Sequence, residues 1–452
     1  MKKVTKILIA ENVPSLNKGE MTILEGMLQS FRCLGKVEVS MLSPVPDIDR
    51  PRYGAKVNIV DIRQCLHISG NLSDYRKAFQ IFVSILFVFE HLPFLILYKF
   101  LGSRALKFVR SEIWKEYVES DVIIMGHDGA FGTGGGLGAP IYFYPLFMPF
   151  FTKKLGKPFV LYGGSIGPSD QLSCRFSSKV TKFVYWVADK VTKFTLNRMS
   201  LISLRENTAY HYLADIGVQS SKVFLTADPA FLLQPASFEQ VQEVMRRERI
   251  AKDSRPLIGM TITREKASKA FPELANPRSS YYKHIKMLAQ VIDRLIDRLN
   301  ATVIFIPHCI GLSEEIDDRI VAADISQLCQ HKDAVNVLTN EYSAAELKGL
   351  IGQFDFFIGE RLHSVVNAMS MGVPSIVISN SADQRLGIIK MFGQEDAICY
   401  IEALDADTLM SKISDIWSED RSSDLRFEAE IMRKRAMLNG RLLKRLLYNT
   451  HK

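Results

Sequence analysis

Cysteine is scarce in this chain and never clustered. There are six among 452 residues (Cys33, Cys65, Cys174, Cys309, Cys329 and Cys399), with no Cys-x-x-Cys spacing. This excludes a zinc ribbon and a disulfide scaffold, and it predicts a reduced, cytoplasmic protein. His-x-Glu and His-Glu-x-x-His patterns are missing and no carboxylate cluster marks a magnesium site, so no obligatory metal is expected. Internal repeats and low-complexity tracts are absent too. A mostly apolar run, Ala78 to Phe89, stops at Glu90 and His91, with Pro93 following. A spanning helix needs about 20 apolar residues, so this stretch is too short and too broken to cross a bilayer.

The composition is that of a globular protein, 47% hydrophobic and 23% charged. A chain this long exceeds one core, so two domains are the prior. Lys2, Lys3 and Lys6 lead directly into an apolar strand pattern, and no leader peptide is expected. The net charge of +8 is unevenly placed: Ile431 to Lys452 holds seven basic residues and no acidic one, with leucines at roughly helical spacing. Such a helix either rests on anionic lipid or packs its leucines on its own domain. The 78–101 region likewise reads as a buried helix pair or as a patch that dips into the membrane interface. No nucleic-acid motif accompanies the charge, so nucleic acid is not an expected partner.

Strand and helix patterns alternate along nearly the whole chain, the signature of parallel α/β sheets. Strands are expected at Thr5–Ala10, Val37–Leu42, Val57–Ile62, Val122–Met125, Pro158–Tyr162, Leu201–Leu204 and Val223–Leu225. After a pause at Pro235-Ala236-Ser237, a second series covers Leu257–Ile262, Thr302–Ile306, Val335–Leu338, Asp355–Ile358 and Ser375–Ile378. This predicts an α/β protein of two Rossmann-like domains, residues 1–235 and 236–424. A basic helix at 425–452 then returns to the first domain.

Candidate chemistry falls where expected strands end. Glu360-Arg361-Leu362-His363-Ser364 follows an apolar run and precedes Gly372-x-Pro374. An arginine fork, an imidazole and a carboxylate so close together can hold an anion and move a proton. Asn17-Lys18-Gly19-Glu20 opens the first helix, whose amides either receive an anion or sugar hydroxyl or are simply capped. Gly126 to Gly138 contains seven glycines without the Gly-Lys-Ser/Thr ending of a nucleotide P-loop, and reads as a loop over substrate. Gly164 and Ser165, Arg205, Asp228 and His308 complete a set predicted to line a cleft between the two sheets.

In order and spacing these pieces resemble the polysaccharide pyruvyl transferase family. The resemblance runs through Asn17-x-Gly19-Glu20, the segment around Gly126, Gly164-x-Ile166-Gly167-Pro168 and Ser203-Leu204-Arg205, then Asp228-Pro229-Ala230, Pro307-His308 and Arg361-x-His363. It implies the GT-B architecture, two Rossmann domains facing a central cleft, and transfer of a pyruvyl group from phosphoenolpyruvate to two sugar hydroxyls as a ketal. The acceptor it implies is a cell-surface polysaccharide or its lipid-linked precursor. Phosphoenolpyruvate is then the donor, without a further cofactor. Arg361 and Arg205 would clamp its anionic groups, His363 would be the general acid, and Glu360 would orient His363 or accept a sugar proton. Work at the inner face of the plasma membrane is the implied location.

Departures from the family pattern are Glu20 where aspartate is common, Gly126-His127-Asp128 in place of a glycine triplet, and Asn380-Ser381 and Gln384 where tyrosine and lysine are common. Two alternatives stay open: a nucleotide-sugar glycosyltransferase of the same fold, and a non-catalytic membrane-surface partner in polysaccharide assembly. Asn367 stands where such glycosyltransferases place a ribose-gripping glutamate, which weakens the first. The sequence leaves the oligomeric state open.

Overall fold

The computed structural model describes residues 4–62, 92–108, 112–126, 143–167, 178–271, 273–274, 276–311 and 314–450. The expected glycine loop beyond Gly126, the first part of the 78–101 stretch, Cys65, Cys174 and Pro168 lie outside them. The chain divides into two compact units. One is Met1–Ser15, Met27–Asp228 and Arg435–Lys452; the other is Leu16–Gly26 with Pro229–Lys434.

The first unit is built on seven parallel strands: β1 (Thr5–Ile9), β2 (Val37–Ser43), β3 (Asn58–Asp61), β4 (Val122–Met125), β5 (Phe159–Gly164), β6 (Leu201–Leu204) and β7 (Val223–Leu225). Their spatial order is β3-β2-β1-β4-β5-β6-β7. All four residues of β4 are buried, as an apolar strand covered on both faces requires. One face of this sheet, including Leu8, Ile123, Leu161 and Ile202, carries a helical layer that contributes Phe94, Trp114, Tyr117, Met148 and Phe151 to a single core. Phe94 stacks on Trp114 with centroids 4.5 Å apart, so the helical residues 92–101 are tied down by their inner side.

The second unit has six parallel strands: β8 (Leu257–Thr261), β9 (Thr302–Phe305), β10 (Val335–Val337), β11 (Phe356–Gly359), β12 (Ser375–Ser379) and β13 (Ile398–Tyr400). Their order is β10-β9-β8-β11-β12-β13. β8 therefore sits between β9 and β11, and the strand order reverses beside it. Crevices at such reversals, outside the carboxyl ends of the strands, are where open α/β sheets bind ligands. The expected strands are present with ends moved by a residue or two. β13 is an addition to the expected strands.

The last helix, Ser422–Thr450, is unbroken. Leu443 and Leu447 are buried, Leu438 is exposed, and so are Arg441, Lys444 and Arg445; the helix packs part of its leucine stripe and solvates its cations. Gly440 does not interrupt it. A Cβ there would stand 2.3 Å from the Ser30 carbonyl oxygen, so the glycine lets two backbones meet within the first unit.

Candidate active site

Seven of the eleven expected site residues belong to the second unit and four to the first. In the second unit, His308 follows β9, and Glu360 and Arg361 follow β11. His363 lies in the first turn of the helix Leu362–Ser370. These groups flank β8 at its carboxyl end. Arg361 is the N-cap residue of that helix and makes no side-chain cap hydrogen bond. The positive end of the helix dipole thus lies at the Arg361 backbone.

Arg361 is held from behind. Its Nε and one terminal nitrogen donate to Asp318, at 3.1 and 2.7 Å. The same carboxylate accepts the backbone N–H groups of His308 (3.0 Å) and Cys309 (2.8 Å). Burial acts against the Arg361 charge, but Asp318 outweighs it and the guanidinium pKa stays above its ordinary value. Asp318 was not among the expected residues. The signal was present as the acidic pair Asp317-Asp318 opening a helix, which reads locally as nothing more than a cap. We expect Asp318→Asn to weaken binding of a small dianion by tenfold or more and to lower the melt, because both carboxylate oxygens accept hydrogen bonds and an amide offers only one acceptor. Titration calorimetry of both proteins checks this, and equal affinities would refute it.

His308 is 1% exposed, and neither ring nitrogen finds a hydrogen-bond partner among the described residues. Its pKa falls to about 3, first through burial and then through the neighbouring Arg361, His363 and Lys18 side chains. The imidazole is therefore neutral at physiological pH, with one N–H to give and one nitrogen lone pair to receive.

Leu16–Lys18 runs beside His308–Ile310. Lys18 donates its backbone N–H to the His308 carbonyl (2.7 Å), Ile310 donates to Leu16 (3.0 Å), and Asn17 forms a bridge with Cys309. The Lys18 ammonium is 2.7 Å from Glu341. Gly19 is thereby pressed against His363, where a Cβ would lie 3.1 Å from Nδ1. Of the two readings left open for the start of the first helix, the capped one is present. The Asn17 side chain accepts from Gly19 (3.0 Å) and Glu20 (3.4 Å), so those amides are capped.

Two expectations change. Glu360 faces inward: one carboxylate oxygen meets His284 Nε2 at 2.6 Å and the other accepts from Thr263 N at 2.8 Å. It therefore braces the β11 turn; it does not orient His363 or receive a sugar proton. Lys266, also unforeseen, binds the carbonyls of Glu360 and Ile378 and the Ser379 hydroxyl, joining the ends of β11 and β12. Its pKa is lowered to about 8 by burial. The Ser364 hydroxyl meets Thr261 and the Arg361 carbonyl, so it shapes the turn.

In the first unit, Arg205 and Asp228 form a wholly buried ion pair at 2.9 Å. Arg205 was expected to clamp a donor, yet its charge is already matched within its own unit. Gly164 closes β5 and accepts from Arg205 N, and Ser165 donates to Glu206 at 2.7 Å. Among the described residues, no group of three His, Cys, Asp or Glu side chains could share a metal ion.

The sequence model of the polysaccharide pyruvyl transferase family matches residues 17–382. The chain belongs to that family. A curated relative of this pyruvyl transferase family member is the amylovoran biosynthesis protein AmsJ of Erwinia amylovora, 23% identical over 91% of this chain and 92% of that one. Among solved structures, Anabaena Alr3699/HepE in complex with UDP-glucose superimposes with a TM-score of 0.56 at 10% identity, covering 98% of this chain and 99% of that one. The UDP-GlcNAc 2-epimerase of Methanocaldococcus jannaschii gives 0.53 at 10% identity, covering 95% and 99%. At such identities these likenesses concern fold alone. With the two parallel sheets, they place this transferase-family chain in the GT-B class of paired Rossmann-like domains.

Proposed function

We propose that this protein transfers the pyruvyl group of phosphoenolpyruvate to two hydroxyls of one sugar, forming a ketal and releasing phosphate. The acceptor in this reading is a cell-surface polysaccharide or its lipid-linked precursor, in keeping with AmsJ's description as an amylovoran biosynthesis protein. One observation carries the reading. A braced guanidinium, an uncapped helix start and two imidazoles, one of them neutral and unpartnered, meet at the strand-order reversal of the second unit.

Phosphoenolpyruvate brings a carboxylate and a phosphate, both suited to a guanidinium fork. Arg361 receives one anionic group and neutral His308 hydrogen-bonds the other. His363 protonates the methylene carbon, which makes C2 electrophilic, and a sugar hydroxyl adds there, giving up its proton to the imidazole. The second hydroxyl then displaces phosphate from C2, its proton leaving with the phosphate or through His363. Two O–H bonds become two C–O bonds, one carbon gains a proton, and no electrons are exchanged with a cofactor. Because phosphoenolpyruvate is made in the cytoplasm, the work is done inside the cell, at the inner membrane face when the acceptor is lipid-linked.

Asn367, at the ribose-gripping position of nucleotide-sugar enzymes, is completely buried on the helix Leu362–Ser370 and presents no carboxylate to a ribose. The decisive comparison is the melt with phosphoenolpyruvate against the melt with a panel of nucleotide sugars. Phosphoenolpyruvate at a hundred times its Kd should add about 2.7 kcal/mol of stability. Stabilisation by a nucleotide sugar alone would overturn the reading.

A further inference from the structure

The first unit carries an exposed aromatic surface that the proposed chemistry does not use. Among the helical residues 92–101, Ile96 and Phe100 lie one turn apart and are 62% and 77% exposed; nearby Phe108 is 70% exposed. In the helices Phe143–Lys154 and Ser178–Leu196, Phe150, Trp186 and Phe194 are 36%, 56% and 50% exposed. The inner side chains of the segments around 94–118, 148–155 and 196 share one core on one sheet face, so these outward groups belong to the outer side of one helical layer. Phe150 and Phe194 touch, with ring centroids 5.4 Å apart.

Cations are interleaved with these rings. Lys99 lies over Phe100, Lys190 over Trp186, and Arg198 over both Phe150 and Phe194. Residues 92–108 and 143–154 contain five lysines and arginines and no acidic residue. The one aspartate in 186–198, Asp189, accepts a 2.6 Å hydrogen bond from the Tyr212 hydroxyl. Exposed aromatics interleaved with a majority of cations have the composition of an interfacial membrane face, here with Glu112, Glu116 and Glu119 of the helix Glu112–Glu119 as the acidic minority. A second copy of this surface would bring like charges together, which disfavours self-association. No helix among the described residues is long and apolar enough to cross a membrane, so the contact is peripheral.

We propose that this outer face docks on an anionic lipid bilayer, with Phe100, Phe108, Trp186 and Phe194 entering the headgroup boundary and the cations meeting acidic lipid. The inference does not depend on the phosphoenolpyruvate reading. The test is sedimentation of the full chain with phosphatidylcholine vesicles, with and without about one-third phosphatidylglycerol, at low and high salt. The protein should pellet only with the anionic vesicles at low salt. Lys107→Glu and Lys190→Glu should each lower partitioning about fivefold or more. Phe100→Ser combined with Phe108→Ser should leave most protein in the supernatant with an unchanged melt. Three results would overturn the proposal: no pelleting by folded wild type, pelleting indifferent to all these variants, or a dimer in solution that the serine variants disperse. Binding to single-stranded DNA with none to vesicles would overturn it as well.

Discussion

Arg205→Ala is expected to lower stability by about 3–5 kcal/mol, among the largest effects of any single change in this chain. Arg205 and Asp228 have no solvent-exposed side-chain surface, and their charges meet at 2.9 Å near the ends of β6 and β7. Removing the guanidinium takes an ion-pair partner at 2.9 Å from the Asp228 carboxylate, whose side chain has no exposed surface. Asp228→Ala should cost a similar amount. Arg205→Met with Asp228→Leu should recover most of the loss, since a matched apolar pair carries no desolvation penalty. Urea unfolding of the three proteins decides the matter, and a wild-type midpoint for Arg205→Ala would show that the pair contributes nothing.

Lys348→Met should act in the opposite direction and stabilise the protein. Lys348 lies on the helix Ala344–Ile351, fully buried, and its ammonium meets no hydrogen-bond partner among the described residues. Burial, reinforced by the positive Arg433, lowers its pKa to about 7. In the unfolded chain a lysine holds its proton up to about pH 10.4. Between those two values the unfolded state binds the extra proton, so wild-type stability rises with pH across that window. Below about pH 7 both states are protonated and the cost is present in full. At roughly 1.4 kcal/mol per pKa unit, Lys348→Met should gain several kcal/mol near pH 6, and the gain should vanish towards pH 10. Melts of both proteins across this range give the test; a constant difference would exclude the titration as its source.

Strands could be read from the sequence because a parallel sheet covered on both faces needs continuous apolar runs, and Val122–Met125 or Phe356–Gly359 cannot easily be anything else. Arg361, His363 and His308 were also legible, since strand ends followed by polar residues mark the ligand edge of such sheets. The residues that support them were not. Asp318 lies 43 positions from Arg361 and His284 lies 76 from Glu360, and nothing local in either segment announces the partner. The same limit explains the errors at Glu360 and Arg205. A charged residue at a strand end looks identical in sequence whether it faces a ligand or a buried counter-charge. Gly440 shows a related limit: its role depends on the carbonyl of Ser30, far away in the chain.

His363 bears the proposed chemistry, as the group that gives a proton to carbon and takes one from a hydroxyl. The most direct measurement is phosphate release from phosphoenolpyruvate in the presence of a glycan acceptor, comparing wild type with His363→Ala. Wild type should turn over, and the variant should lose about 10²–10⁴-fold in rate while melting close to wild type. A folded His363→Ala protein that releases phosphate at the wild-type rate would contradict the account.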